Sequence, residues 1–275
     1  MPTRNPPLLR WTPKAVVFDC DGTLMDTERH WQEARNRAFS AFGLTPPRGF
    51  AERAKGVHYA DCGRLMAEET QKPELATGLT TALLEHFLAL VADEPLTMPG
   101  AAEFVHLLSG RLPLAVASNC PAQVVEESLG WAGLRRHFQH IVVPSGTGDH
   151  TADARPATRE RLEDLRPKPW PDVYAAAARL CGVRPQDALA VEDSQTGVES
   201  ARRAGLRVVG VGPRPAEEEA DRADLWVTAL HAPDLLAWAG RWTTGPVLPA
   251  PGDRAGGDDS AASLGGRSAG VDETA

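Results

Sequence analysis

Asp19 and Asp21 stand one residue apart in Phe18-Asp19-Cys20-Asp21-Gly22-Thr23, directly after the apolar run Ala15-Val16-Val17-Phe18. At the end of a strand the two-residue period turns both carboxylates to one side and Cys20 to the other. Carboxylates that close repel unless one carries a proton or a cation lies between them. The pair therefore suits a nucleophile with a general acid, a Mg2+ site, or both at once. Taken alone, DxDG reads better as an acidic turn. Three other strand ends carry polar groups fit for the same work. Ser118-Asn119 follows the run 112–117 and opens a helix, where a hydroxyl and free N–H groups hold an anion. Lys168 lies among Pro167, Pro169 and Pro171, a positive charge on a stiff backbone. Glu192-Asp193 ends the run 188–191 and adds carboxylate oxygens suited to a hard metal. Singly, these three read as a helix cap, a solvated loop charge and a turn.

Positioning such groups together requires a sheet. Short β-rich runs at 15–18, 112–117, 141–143, 188–191, 208–211 and 225–227 read as buried strands. Helical stretches alternate with them at 101–109, 121–129, 172–181 and 197–204, the last two followed by Gly182 and Gly205. That alternation implies right-handed βαβ units and a parallel sheet covered on both faces. Residues 27–97 break it with helices alone: Trp31, Ala34, Ala38, Phe39 and Phe42 share one stripe, and Leu75, Leu79, Leu83, Phe87 and Leu90 another. The expected organisation is an α/β core of residues 14–26 and 98–240 and a helical subdomain of residues 27–97. A polar loop insertion at 145–166, read as surface decoration, and a disordered tail at 241–275 complete it.

Composition bounds the function. With 275 residues, 42% hydrophobic and 24% charged, the chain is an ordinary globular sequence. No stretch is read as approaching the roughly 20 apolar residues of a membrane span, and no secretory h-region opens the chain, so a soluble, cytoplasmic protein with no membrane partner is expected. A net charge of −8 argues against nucleic acid as partner. Cys20, Cys62, Cys120 and Cys181 are far apart without a CxxC pair, which fits reduced thiols better than disulfides or zinc. Cys120, beside Ser118-Asn119, is read as a packed, inert thiol.

In order and in position relative to the strands, these elements resemble the haloacid dehalogenase superfamily. Asp19 to Thr23 matches its first motif, DxDGT; Ser118 its second; Lys168 its third; Glu192-Asp193 its fourth. The run 191–201, VEDSQTGVESA, is similar to the β-phosphoglucomutase and phosphoglycolate phosphatase subgroup. The resemblance implies a doubly wound parallel sheet of Rossmann-like type, strand order 5-4-1-2-3, with a helical cap inserted after the first strand. It implies Asp19 as nucleophile and Asp21 as general acid and base. Thr23, Ser118, Asn119 and Lys168 would bind phosphate, and Asp19, Asp21, Asp193 and Glu192 would hold Mg2+. In the cap, Lys55, His58 and Tyr59 are tentative substrate residues. Tyr59 stands where the mutase has an arginine, and Trp31 where the subgroup has a histidine. His30 and Tyr59 stay open between substrate contact and cap surface. The activity implied is hydrolysis of a small phosphorylated metabolite; a phosphosugar mutase and a catalytically idle binding protein are the alternatives. Nothing in the sequence fixes an oligomeric state.

Overall fold

The computed structural model describes residues 7–54, 57, 59–144 and 165–242. Ala15–Phe18 forms β1, buried along its whole length. Its alternation divides the core: Val16 and Phe18 face one apolar cluster, Ala15 and Val17 another on the opposite side. After β1 the chain leaves the sheet for a run of helices, α1 (Glu28–Ala41), α2 (Phe50–Ala54), α3 (Tyr59–Glu69) and α4 (Ala76–Asp93). These bury a third cluster of their own, including Ala34, Phe39, Phe50, Met66, Leu83 and Phe87. Trp31 stacks on Phe87 with ring centroids 3.7 Å apart, which explains why an aromatic ring suits that position of α1. The two crossings between sheet and helices lie side by side, tied by Asp26 N–H to the Leu96 carbonyl at 3.0 Å and Met98 N–H to the Leu24 carbonyl at 2.9 Å.

The chain then alternates: α5 (Ala101–Leu108), β2 (Leu114–Ala117), α6 (Ala122–Trp131), β3 (His140–Val142), α7 (Asp172–Leu180), β4 (Ala188–Glu192), α8 (Gln195–Ala204), β5 (Arg207–Val211), α9 (Glu217–Ala220), β6 (Leu225–Val227) and α10 (Pro233–Trp242). All strand pairs are parallel, in the order β3-β2-β1-β4-β5-β6. This is the expected 5-4-1-2-3 order with a sixth strand beside the fifth. Residues of α5, α6 and α10 cover one face with the first cluster; α7 and α8 cover the other. The DxD strand is thus central, between the strands that lead to Ser118 and to Glu192.

Three sequence readings are corrected. The tail was expected from residue 241, but α10 continues to Trp242, which is buried edge-on to Trp238 with centroids 4.4 Å apart. The rest of that tail, and residues 145–164 of the insertion, lie outside the described residues. The segment Pro73–Asp93 contains an 18-residue window apolar enough to cross a membrane by length and composition alone, contrary to the reading that no stretch approaches this. Its stripe Leu79, Leu83, Phe87 and Val91 is buried against the other helices. Finally, α8 begins two residues earlier than read, because the Ser194 side chain accepts the Gly197 N–H at 3.0 Å and caps it.

Candidate active site

The site forms where β1, β2 and β4 end together. Asp19 continues β1 through its N–H to the Val191 carbonyl (2.9 Å), and Ser118 continues β2 through its N–H to the Val142 carbonyl (3.1 Å). Beyond Asp19 the chain doubles back: the N–H groups of Leu24 and Met25 both reach the Cys20 carbonyl at 2.9 Å. Gly22 makes this turn at φ +82°, and a Cβ there would meet Asp193 Oδ2 at 2.3 Å. Both the backbone and the neighbouring carboxylate therefore require glycine.

At the centre lies Lys168. Its ammonium donates to Asp19 Oδ1 and to Glu192 Oε1, the latter at 2.6 Å, and its side chain is 4% exposed. Pro167 and Pro169 flank it, and the Lys168–Pro169 bond is cis. The backbone at Lys168 is pinned by the Asn119 side chain: the Lys168 N–H donates to Asn119 Oδ1 at 2.9 Å, and Asn119 Nδ2 donates back to the Lys168 carbonyl at 3.4 Å. Burial works against the ammonium, but Asp19 and Glu192 outweigh it and keep Lys168 more basic than a free lysine. Burial pushes Asp19 well above the ordinary carboxylate range; Lys168 pulls it back, while Glu192, Asp193 and Asp21 repel it upward. Burial, then repulsion from Glu192, raises Asp193 to about 7.

Oxygens of Asp19, Glu192 and Asp193 lie within 4.8 Å of one another. Hard carboxylate donors at that spacing, two of them destabilised as anions by burial and mutual repulsion, fit a small divalent cation such as Mg2+. Glu192 has other work. Its Oε1 accepts from Lys168 and from the Tyr174 hydroxyl (3.0 Å), and its Oε2 from the N–H and the hydroxyl of Ser194 (3.0 and 2.9 Å). With both oxygens engaged and the side chain fully buried, Glu192 anchors Lys168.

Asp21 is held apart from this cluster. Its Oδ1 accepts from the Thr27 hydroxyl at 2.6 Å and its Oδ2 from the Cys120 thiol at 2.8 Å. Cys120 is thus not merely packed, as the sequence was read, but partnered with Asp21. Two residues expected to bind phosphate have partners within the chain. The buried Thr23 hydroxyl donates to Asp193 Oδ1 at 3.1 Å and so orients that carboxylate. The Asn119 side chain holds the Lys168 backbone through its oxygen and one of its two amide protons. Ser118 Oγ accepts the Cys120 N–H at 3.0 Å and keeps its own proton to donate.

Of the cap candidates, Lys55 and His58 lie outside the described residues. Tyr59 begins α3, half-buried against the apolar cluster of the helices. His30 is buried in α1, its Nδ1 without a hydrogen-bond partner among the described residues. The helical cluster reaches the sheet side through Val124 and Cys120, so the helices stand against the end of the sheet that carries Ser118. Tyr174, absent from the sequence reading, joins the site through its hydroxyl; its signal in the sequence, an apolar position of an amphipathic helix, is that of any core aromatic.

Comparison with known proteins agrees with this geometry. A family profile described as haloacid dehalogenase-like hydrolase matches residues 13–205. A probable pseudouridine-5'-phosphatase of Drosophila melanogaster is 31% identical over 219 residues, covering 78% of this chain and 88% of that protein. The fructose-1-phosphate phosphatase YqaB of Escherichia coli is 26% identical over 198 residues, 71% of this chain and 95% of its own. Among solved structures, CbbY from Rhodobacter sphaeroides in complex with phosphate superposes with a TM-score of 0.64 at 28% identity, covering 82% of this chain and 99% of that one.

Proposed function

The chain belongs to the haloacid dehalogenase-like hydrolases, and on that premise we propose that it is a Mg2+-dependent phosphatase of a small, sugar-like phosphate monoester, acting through an aspartyl-phosphate on Asp19. One observation carries the reading: a buried Lys168 ammonium bridges Asp19 and Glu192, with Asp193 in the same carboxylate cluster. An anionic carboxylate attacks an anionic phosphate only where fixed positive charge and oriented donors offset the repulsion. Asp19, Asp193 and the Asp21 backbone carbonyl would hold Mg2+, which when bound supplies most of that offsetting charge.

The steps of the chain's own residues follow from their places. Lys168 and Ser118, with the N–H groups opening α6, bind the phosphoryl oxygens. Asp19 forms a bond to phosphorus as the bond to the substrate oxygen breaks, and Asp21 gives its proton to that oxygen. Asp21, now a carboxylate, takes a proton from water as the water oxygen attacks phosphorus. The Asp19–phosphorus bond breaks, returning the Asp19 carboxylate and inorganic phosphate. The Asp21 carboxyl is aimed by Thr27 and Cys120, and Thr27 is the residue that opens α1, so the acid–base group is tied to the start of the helices. Residues 27–97 are the cap that excludes water and reads the substrate, with Lys55, His58 and Tyr59 as its contacts. The relatives named for pseudouridine 5'-phosphate and fructose 1-phosphate support a small phosphorylated metabolite. The four free thiols support a reducing, cytoplasmic setting.

The test is phosphate release from a panel containing fructose 1-phosphate, pseudouridine 5'-phosphate and phosphoglycolate, with Mg2+ or excess chelator, beside Asp19→Asn. Metal-dependent release that vanishes in the variant is the expected result. Release unaffected by chelator, or none from any compound, would overturn the proposal.

A further inference from the structure

The buried hydroxyl of Tyr174 is not used by the mechanism above. Tyr174 lies on α7, fully buried, and is one of two tyrosines in the chain. Filling the apolar cluster under the sheet would be served as well by phenylalanine. The hydroxyl instead donates to Glu192 Oε1 at 3.0 Å, and the ring lies under Lys168, whose Nζ is 5.0 Å from the ring centroid. The same Oε1 accepts from Lys168 at 2.6 Å. A carboxylate oxygen has two lone pairs, and here the tyrosine fills one while the lysine takes the other. Oε2 is already occupied by Ser194, so Glu192 has no other oxygen with which to draw the ammonium in.

We infer that Tyr174 is a positioning residue for the reaction: by sharing Glu192 Oε1 it limits the pull of Glu192 on Lys168 and keeps the ammonium on Asp19. Without the hydroxyl, Oε1 has Lys168 as its one remaining partner among those described, and the ammonium shifts toward Glu192. Asp19 then loses part of the positive charge that lets it approach a phosphate. The ring contributes in the same sense, since its face attracts a cation at that place. This inference rests on the proposed role of Asp19 and Lys168. It predicts that Tyr174 acts on the attack at phosphorus, not on protonation of the leaving group.

The experiment compares the full chain with Tyr174→Phe on p-nitrophenyl phosphate, whose leaving group needs no proton, and on fructose 1-phosphate, whose leaving group does. A lost hydrogen bond to a charged group corresponds to a fall in kcat of about 10- to 100-fold. The same factor is expected on both substrates, beside a fall in melting temperature of about 3–12 °C that leaves the variant folded at the assay temperature. Activity of Tyr174→Phe within twofold of the parent on both substrates would overturn the inference. So would a loss confined to fructose 1-phosphate. A second measurement needs neither turnover nor the variant's stability. The parent chain is labelled with 3-fluorotyrosine, giving two fluorine resonances, and Tyr59→Phe identifies which belongs to Tyr174. Inorganic phosphate with Mg2+ should move the Tyr174 resonance as Lys168 engages the anion; a resonance that stays in place while phosphate binds, measured by calorimetry, refutes the coupling. Should the parent chain release phosphate from neither substrate, the proposed function fails, and the fluorine measurement still decides the role of Tyr174.

Discussion

Gly197 lies inside α8, where alanine normally stabilises a helix by about 1 kcal/mol over glycine. The structure reverses that expectation. A Cβ at position 197 would lie 1.6 Å from Glu192 Oε1 and 2.4 Å from Oε2. A clash with the end of a long side chain is usually relieved by rotating it away, but this carboxylate is fully buried and accepts from Lys168, Tyr174 and, twice, Ser194. Losing two of those four charged hydrogen bonds costs about 3–6 kcal/mol, so Gly197→Ala is destabilised by a net ~2–5 kcal/mol. For a domain of this size that lowers Tm by about 4–20 °C. Displacing Glu192 also frees Lys168 from its anchor, and phosphatase activity should fall on the order of tenfold or more. Gly130, in α6, is the control: nothing lies within 4 Å of its Cβ position, so Gly130→Ala should gain a few tenths to about 1 kcal/mol. Thermal melts and initial rates on purified variants measure both effects. A Gly197→Ala protein that melts at or above the parent temperature with unchanged activity would refute the reasoning.

Other outcomes follow from the same site. Asp193 titrates near 7 when burial and Glu192 hold it up, above its unfolded value of about 3.9. The metal-free folded chain therefore binds more protons across that window. Its contribution to stability is full below the unfolded value and is lost as pH rises through 7. Because Mg2+ takes the ionised carboxylate, the rise in Tm on adding Mg2+ should be small at pH 5.5 and large at pH 8; equal rises at both would count against Asp193 as a ligand. Cys120→Ala removes one of the two partners of Asp21 and should slow alkyl phosphate hydrolysis by about 3- to 10-fold while leaving p-nitrophenyl phosphate nearly unaffected. An equal loss on both substrates would show that Cys120 does not act through Asp21. Trp242→Ala removes a buried ring packed on Trp238 and should cost about 3 kcal/mol in urea denaturation, whereas a loss near zero would mean that α10 frays before its last turn.

The strands and the order of chemistry along the chain were legible because Asp19, Ser118 and Glu192 each end an apolar run, whereas Lys168 was marked only by its flanking prolines. Asp19 after Ala15–Phe18 and Glu192 at the end of Ala188–Glu192 need no tertiary information to be placed at one edge of a sheet. What each side chain does there was less legible. Thr23 and Asn119 carry the donors a phosphate would want, and in the structure their hydroxyl and amide also meet Asp193 and the Lys168 backbone. Those partners are 170 and 49 residues away, and no local pattern announces them. Cys120 meets Asp21 across 99 residues in the same way. The last helix was missed where Gly240 and the small, polar residues after Trp242 resemble a tail, although Leu235, Trp238, Ala239 and Trp242 share one buried stripe.

The central claim is that Asp19 carries the phosphoryl group. Its most direct test is acid quenching of the chain during turnover with Mg2+, with borohydride added to capture an acyl phosphate, followed by mass analysis of the peptide containing Asp19. The account predicts a phosphoryl adduct, or its reduced product, on Asp19 and on no other residue, formed with Mg2+, lost with chelator and absent from Asp19→Asn. Phosphate release by Asp19→Asn at the parent rate, or an adduct on another residue, would contradict it.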